Sequence, residues 1–214
     1  MIQAIIFDKD GTLFDTEKFY FDGWKLFSQK INRDLSHEQI LELEMLSKDA
    51  QALKAKEYLG NIDTIAFKKQ ISDYVKNRQM TECPFKPGLL ECLQTFQEKG
   101  IVMGIASSGR LSLIQKNLQM TGLTHYFSAL VSGHNVEKGK PAPDIYLETA
   151  KQLGVQPQHC LVVEDSTKAL QGAMEAGFQT AFIPDLFPID PNLEKRIDYI
   201  CTDLLDLSRQ VKLD

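Results

Sequence analysis

Apolar and polar residues follow two rhythms along this chain of 214 residues. Near the start, Ala4-Ile5-Ile6-Phe7 is a short run without a polar residue, with the length and branching of a buried strand. From residue 17 to about residue 80 the spacing turns helical, with non-polar positions at Phe19, Gly23, Leu26 and Phe27 and again at Ile40, Leu41, Leu43 and Leu46. Ser36 with Gln39 three positions on has the form of a capping box, Gly60-Asn61 interrupts, and Ile62 to Lys76 reads as a further helix. No proline precedes Pro84, so an all-helical block of three or four elements is expected directly after the first strand. Cys83-Pro84-Phe85-Lys86-Pro87-Gly88 closes that block.

Beyond it, helix and strand alternate. Helices are expected at residues 89–99, 110–120, 144–153 and 168–176, with Gly154 and Gly177 as stops. Strands are expected at 101–106, 129–131, 161–163 and 180–183, with a last short one at 199–201 before a terminal helix. Such alternation predicts an α/β fold: a doubly wound parallel sheet covered on both faces, with an all-helical domain inserted after strand one. The expected domains are a core of residues 1–15 with 84–214 and a helical cap of residues 16–83. Ligands of such sheets bind outside the carboxyl ends of the strands, so each strand should deliver its chemistry there.

Composition narrows the class. Hydrophobic residues make up 43% and charged residues 25%, as in an ordinary globular protein. The formal charge of −5, without a basic stretch, argues against a nucleic-acid binder. Cys83, Cys92, Cys160 and Cys201 form no CxxC pair and no ligand-like group with the four histidines, so they read as reduced thiols. With no signal-like start and no apolar run of membrane length, a cytoplasmic location and no membrane partner are expected. A monomer is the default for the oligomeric state.

Four strand ends carry candidate chemistry. After the first strand come Asp8 and Asp10, two positions apart and so aimed the same way if the chain stays extended. Like charges that close need a cation or a shared proton, and a hard cation such as Mg²⁺ takes oxygen ligands. A carboxylate beside such a cation can attack a phosphoryl group, while a second protonates the leaving oxygen and later activates water. The plainer reading is a turn or helix cap, and an EF-hand fails because Gly11 comes too early. The strand ending at Ala106 runs into Ser107-Ser108-Gly109, either a helix N-cap or a phosphate cradle of hydroxyl and backbone N–H groups. Lys140 is followed by Pro141 and Pro143, which stiffen the chain and so lower the entropy lost in aiming its ammonium at a carboxylate and a phosphate. Val162-Val163 leads into Glu164-Asp165-Ser166, either a helix cap or a metal site.

Phe7-Asp8-Lys9-Asp10-Gly11-Thr12-Leu13 resembles the first motif of the haloacid dehalogenase (HAD) superfamily, and Phe14-Asp15-Thr16-Glu17 resembles its subgroup of β-phosphoglucomutase and small sugar-phosphate phosphatases. The other three strand ends match the remaining motifs in order, Gly139-Lys140-Pro141-Ala142-Pro143-Asp144 the most specifically, and the resemblance spans essentially the whole chain. It implies a Mg²⁺-dependent phosphatase acting on a small phosphorylated metabolite such as a sugar phosphate. Asp8 would be the nucleophile and Asp10 the acid and base. Ser107, the Ser108 amide and Lys140 would bind phosphate. The Asp8 and Asp165 carboxylates and the Asp10 carbonyl would hold the ion, with Glu164 a ligand or its neighbour. The dehalogenases themselves lack an acid at the Asp10 position.

The runner-up is a sugar phosphomutase. In β-phosphoglucomutase a histidine and an arginine assist transfer to sugar; by counting, these positions fall on Tyr20 and near Lys48, neither of which matches, whereas Thr16 is kept. Thr16, Tyr20, Trp24 and Lys48 are the candidate specificity residues of the cap. A receiver-type signalling module is a remote alternative, disfavoured because its phosphorylated aspartate follows a middle strand and it has no helical insert. Lys9 is expected to point away from the site, toward the sheet's edge or a cap helix.

Overall fold

The computed structural model describes residues 1–212, apart from the side chain of Lys48. Six strands form one parallel sheet: β1 (Ala4–Phe7), β2 (Val102–Ser107), β3 (Ala129–Ser132), β4 (Cys160–Glu164), β5 (Gln179–Phe182) and β6 (Tyr199–Ile200). Their order is β3-β2-β1-β4-β5-β6, so β1 is central, and the order reverses between β1 and β4. Phe7 stands level with Ile105 on one neighbour and Val163 on the other. The carboxyl ends of β2, β1 and β4 therefore lie side by side at a switch point.

Both faces of the sheet are covered, which is why β1 is apolar throughout. Ile5 and Phe7 pack with Leu93 and Phe96 of α5 (Leu89–Glu98), Ile114 and Leu118 of α6 (Leu111–Thr121) and Leu204 and Leu207 of α10 (Leu204–Gln210). Ala4 and Ile6 face the other way, onto Ile145 and Tyr146 of α7 (Asp144–Leu153) and Leu170 and Ala173 of α8 (Thr167–Glu175). The short α9 (Pro191–Glu194), capped by Asp190, has no counterpart in the apolar pattern.

The chain divides into two compact units, Met1–Asp15 with Cys83–Asp214 and Thr16–Glu82, so Cys83 goes with the sheet. The second unit holds α1 (Lys18–Lys30), α2 (His37–Met45), α3 (Lys48–Leu59) and α4 (Thr64–Gln79) around its own core of Phe19, Trp24, Ile40, Leu43, Phe67 and Ile71. Ser36 and Gln39 form the expected capping box of α2. In the sheet unit the two connections to this insert run alongside each other: Asp15 N–H donates to Pro84 O at 2.9 Å, Lys86 N–H to Leu13 O at 3.0 Å, and the Phe14 and Phe85 rings sit 6.0 Å apart. Among the described residues no helix is long and apolar enough to cross a membrane.

Candidate active site

Asp8 prolongs β1 by one residue, its N–H donating to Val163 O at 2.9 Å. Its side chain follows Ala4 and Ile6 to the α7–α8 face, where Glu164 arrives at the end of β4 behind Cys160 and Val162. Lys140 joins them from the loop before α7. Its Nζ donates to Asp8 Oδ1, to Glu164 Oε1 at 2.5 Å and to Ala106 O at 2.8 Å. An ammonium has three N–H donors, and all three are used, one at each of three adjacent strand ends. Tyr146 O–H donates to the same Glu164 Oε1 at 2.6 Å, and the Tyr146 ring lies 5.3 Å from Nζ.

The loop that carries Lys140 is fixed by Ala142 N–H donating to Gly139 O at 3.1 Å and by a close approach to α8. A Cβ at Gly172 would overlap the Pro141 carbonyl, so glycine at this place in α8 is what lets the loop lie against the helix.

Burial and charge act against each other here. Burial pushes the Asp8 carboxyl up to about 8 against the lowering pull of Lys140, and Glu164 and Asp10 add to the rise. Burial opposes the Lys140 charge, but Asp8 and Glu164 outweigh it and hold that ammonium above the usual lysine range. The site thus keeps its cation and brings its carboxyl near neutrality.

Asp8, Glu164 and Asp165 each offer one carboxylate oxygen, all within 4.8 Å of one another. An all-oxygen set of this kind suits a hard divalent ion such as Mg²⁺. Asp165 lies close against the turn after β1. A Cβ on Gly11, whose φ is +84°, would overlap the Asp165 carboxylate and would stand 3.0 Å from Asp185 Oδ2. Asp185 Oδ2 is buried with no hydrogen-bond partner, so one more oxygen borders this group.

The remaining candidates fall differently. Ser107 ends β2, buried, with its Oγ accepting from Gly109 N–H at 3.0 Å; Ser108 is exposed. Neither caps α6, whose N-cap residue is Arg110. Ser166 caps α8, accepting from Ala169 N–H at 3.4 Å, which leaves Asp165 to the acidic group.

Two expectations need correction. The condition for reading Asp8 and Asp10 by alternation is not met, because the chain leaves the extended form at Lys9, whose carbonyl accepts from Leu13 and Phe14 N–H at 3.1 and 3.0 Å. Nor does Lys9 reach the sheet's edge or the insert. On a central strand, away from one face means into the opposite layer, and Lys9 is wholly buried there, donating to Asp10 Oδ1 at 2.7 Å and to Asn117 Oδ1 of α6 at 3.0 Å.

Within the insert, Thr16 and Trp24 are buried, and the Trp24 Nε1–H donates to Glu44 at 2.5 Å. Tyr20 and Trp24 line a cavity of about 450 Å³ together with Glu44, Gln51 and Lys68, three residues that the sequence pattern did not single out. The side chain of Lys48 lies outside the described residues. Tyr146 and Asp185 were also missed, the first hidden mid-helix and the second two residues beyond the last apolar position of β5's run.

A family model described as haloacid dehalogenase-like hydrolase matches residues 5–183. A phosphorylated carbohydrates phosphatase of Thermotoga maritima is 31% identical over 187 residues, which cover 85% of this chain and 84% of that one. A β-phosphoglucomutase of Bacillus subtilis is 29% identical over 185 residues, covering 82% and 80%. Among solved structures, a haloacid dehalogenase-like protein from Agrobacterium tumefaciens, 22% identical, shares the fold with a TM-score of 0.82 over 98% of this chain and 97% of that one.

Proposed function

The chain belongs to the haloacid dehalogenase-like hydrolases, and from that premise we propose that it is a Mg²⁺-dependent phosphatase of small phosphorylated sugars, working through an aspartyl-phosphate on Asp8. The observation that carries the reading is the Lys140 ammonium, bonded at once to Asp8, Glu164 and the Ala106 carbonyl. An ammonium fixed beside a carboxylate at a switch point neutralises charge where a phosphate dianion must approach a like-charged nucleophile.

In the first half-reaction an Asp8 oxygen bonds to phosphorus as the ester P–O bond breaks. The electron pair leaves on the alcohol oxygen, which takes its proton from Asp10. In the second, Asp10 takes a proton from the water that attacks phosphorus, and the acyl-phosphate bond breaks to restore the Asp8 carboxylate and release inorganic phosphate. Lys9, bonded to Asp10, fixes that carboxylate's direction. Ser107 O–H and the Ser108 N–H receive the phosphoryl oxygens, while Glu164, held by Tyr146, anchors Lys140. The Asp8 and Asp165 carboxylates and the Asp10 carbonyl would hold Mg²⁺, with Glu164 beside them. When bound, the ion supplies neutralisation of the phosphoryl oxygens.

The insert supports a hydroxylated substrate. Its cavity combines two aromatic side chains with carboxylate, amide and ammonium groups, the mixture that orients a polar ligand. A phosphomutase is the second reading, favoured by the likeness to the Bacillus subtilis enzyme. The test is a Mg²⁺-dependent assay on a panel of sugar phosphates including β-glucose 1-phosphate, following inorganic phosphate and glucose 6-phosphate together. Phosphate release without isomer is the expected result. Glucose 6-phosphate without net phosphate release overturns the phosphatase reading.

A further inference from the structure

Asp185 is the unexplained carboxylate near the site. It follows β5 through Ile183 and Pro184, and its side chain is 7% exposed. Lys86 Nζ donates to Oδ1 at 2.6 Å, and the Leu186 backbone also bonds to the side chain. Oδ2 has no partner at all. A charged oxygen removed from water without a donor is costly, so in the working protein a donor or a cation belongs beside it.

The turn after β1 shows where that donor would lie. The space that a Gly11 side chain would fill is bordered both by Asp165 Oδ2 and by Asp185 Oδ2, the latter at 3.0 Å. Two carboxylates sharing one small space repel unless positive charge, or water polarised by it, comes between them. Lys86 does not serve, since its ammonium is turned to Oδ1. Mg²⁺ sheds its water reluctantly and keeps several molecules when bound by one or two carboxylates. A carboxylate that accepts from such water orients the site without touching the ion.

We propose that Asp185 is a positioning residue for the metal: its Oδ2 accepts a hydrogen bond from water of the ion's hydration shell, and Lys86 holds the carboxylate in that direction through Oδ1. The inference rests on the Mg²⁺ dependence proposed above. It adds the end of β5 to the strand ends that serve the site, and it gives Gly11 a second duty, since any side chain there would fill the shared space.

The experiment is calorimetric titration of Mg²⁺ into the full chain without substrate, for the wild type, Asp185→Asn and Lys86→Gln. The Asn variant is expected to raise the Kd by about 10–100-fold, the range for loss of a group that orients a metal's surroundings. Lys86→Gln, which keeps a donor to Oδ1 and all the negative charge, is expected to bind at least as tightly as the wild type. Metal-free melting of each variant separates a loss of affinity from a loss of fold. An Asn variant within about twofold of the wild type, on the error of such a titration, overturns the inference and leaves the phosphatase reading standing. A wild type that takes up no Mg²⁺ removes that reading and the inference with it. Should the Asn variant not fold, the carboxyl ¹³C resonance of Asp185 in the wild type decides: it should move on saturation with Mg²⁺, and an unmoved resonance overturns the proposal.

Discussion

Removing the Lys140 charge, by Lys140→Met, should destabilise the metal-free protein strongly, and more so as pH rises. Met keeps most of the stem and removes all three N–H donors. Two carboxylates then lose the cation that pairs with both, Asp8 with a side chain 10% exposed and Glu164 with one 2% exposed. Breaking a buried ion pair from one side costs about 3–5 kcal/mol. For a chain of this size that corresponds to a fall in melting temperature of roughly 6–20 °C. The sign of the pH effect follows from the acids. Deprived of the ammonium, the Asp8 carboxyl is pushed further above its unfolded pKa, so its contribution is retained at low pH and lost as pH rises through the folded value. The assay is calorimetric melting in chelator from pH 5 to pH 8.5, with Lys140→Met compared with the wild type at each step. Adding Asp8→Asn and Glu164→Gln to the same chain should recover most of the loss, because the two carboxylates that lost their partner then carry no charge. A deficit that is the same at pH 5 and pH 8.5, or that the triple variant does not reduce, would refute the reasoning.

Other outcomes follow from the same geometry. Asp8→Asn should abolish phosphate release, since Asp8 is the carboxylate that the Lys140 ammonium bonds at the β1 end; measurable steady-state turnover in that variant contradicts the aspartyl-phosphate route. Because burial holds the Asp8 proton up to about pH 8 in the metal-free protein, Mg²⁺ uptake at pH 7 should release protons and tighten with pH until about 8. Calorimetry in two buffers of different ionisation enthalpy measures this, and binding that is independent of pH between 6 and 9 rejects it. Lys9→Met removes the donor to Asp10 Oδ1 and to buried Asn117, which should cost about 1–3 kcal/mol in urea unfolding. In turnover it should lower kcat with KM little changed, because the group it frees works on protons rather than on binding.

The apolar runs made the sheet legible, since a strand covered on both faces can carry little else, and β1 and β4 could be read from their composition alone. Three of the four motif-bearing loops were legible because each follows such a run, and the Lys140 loop, well past the end of β3, was legible from Pro141 and Pro143. What escaped depends on distance in the chain. Tyr146 reaches Glu164 only because α7 lies on the sheet with that face inward, and its position in the helix is otherwise that of a core aromatic. The direction of Lys9 was misjudged because period-two alternation gives a face but not what covers it, and α6 with Asn117 is 108 residues away. Asp185 did carry a signal: a strand run ends at Ile183, and the rule that strands deliver chemistry at their carboxyl ends applied to β5 as well. The cavity residues Glu44, Gln51 and Lys68 read as the polar side of helices, because only packing of α2, α3 and α4 shows which polar groups turn inward.

The paired connections at residues 13–15 and 84–86 have a consequence for how such a chain can change. Entry to and exit from the insert are neighbours on one short ladder, so adding or removing residues between 16 and 82 alters no hydrogen bond of the six-stranded sheet. The entropy of closing that excursion grows only with the logarithm of its length, about 0.6 kcal/mol for each doubling. The chain therefore has a socket: one set of helices can be exchanged for another while Asp8, Lys140 and Glu164 keep their register.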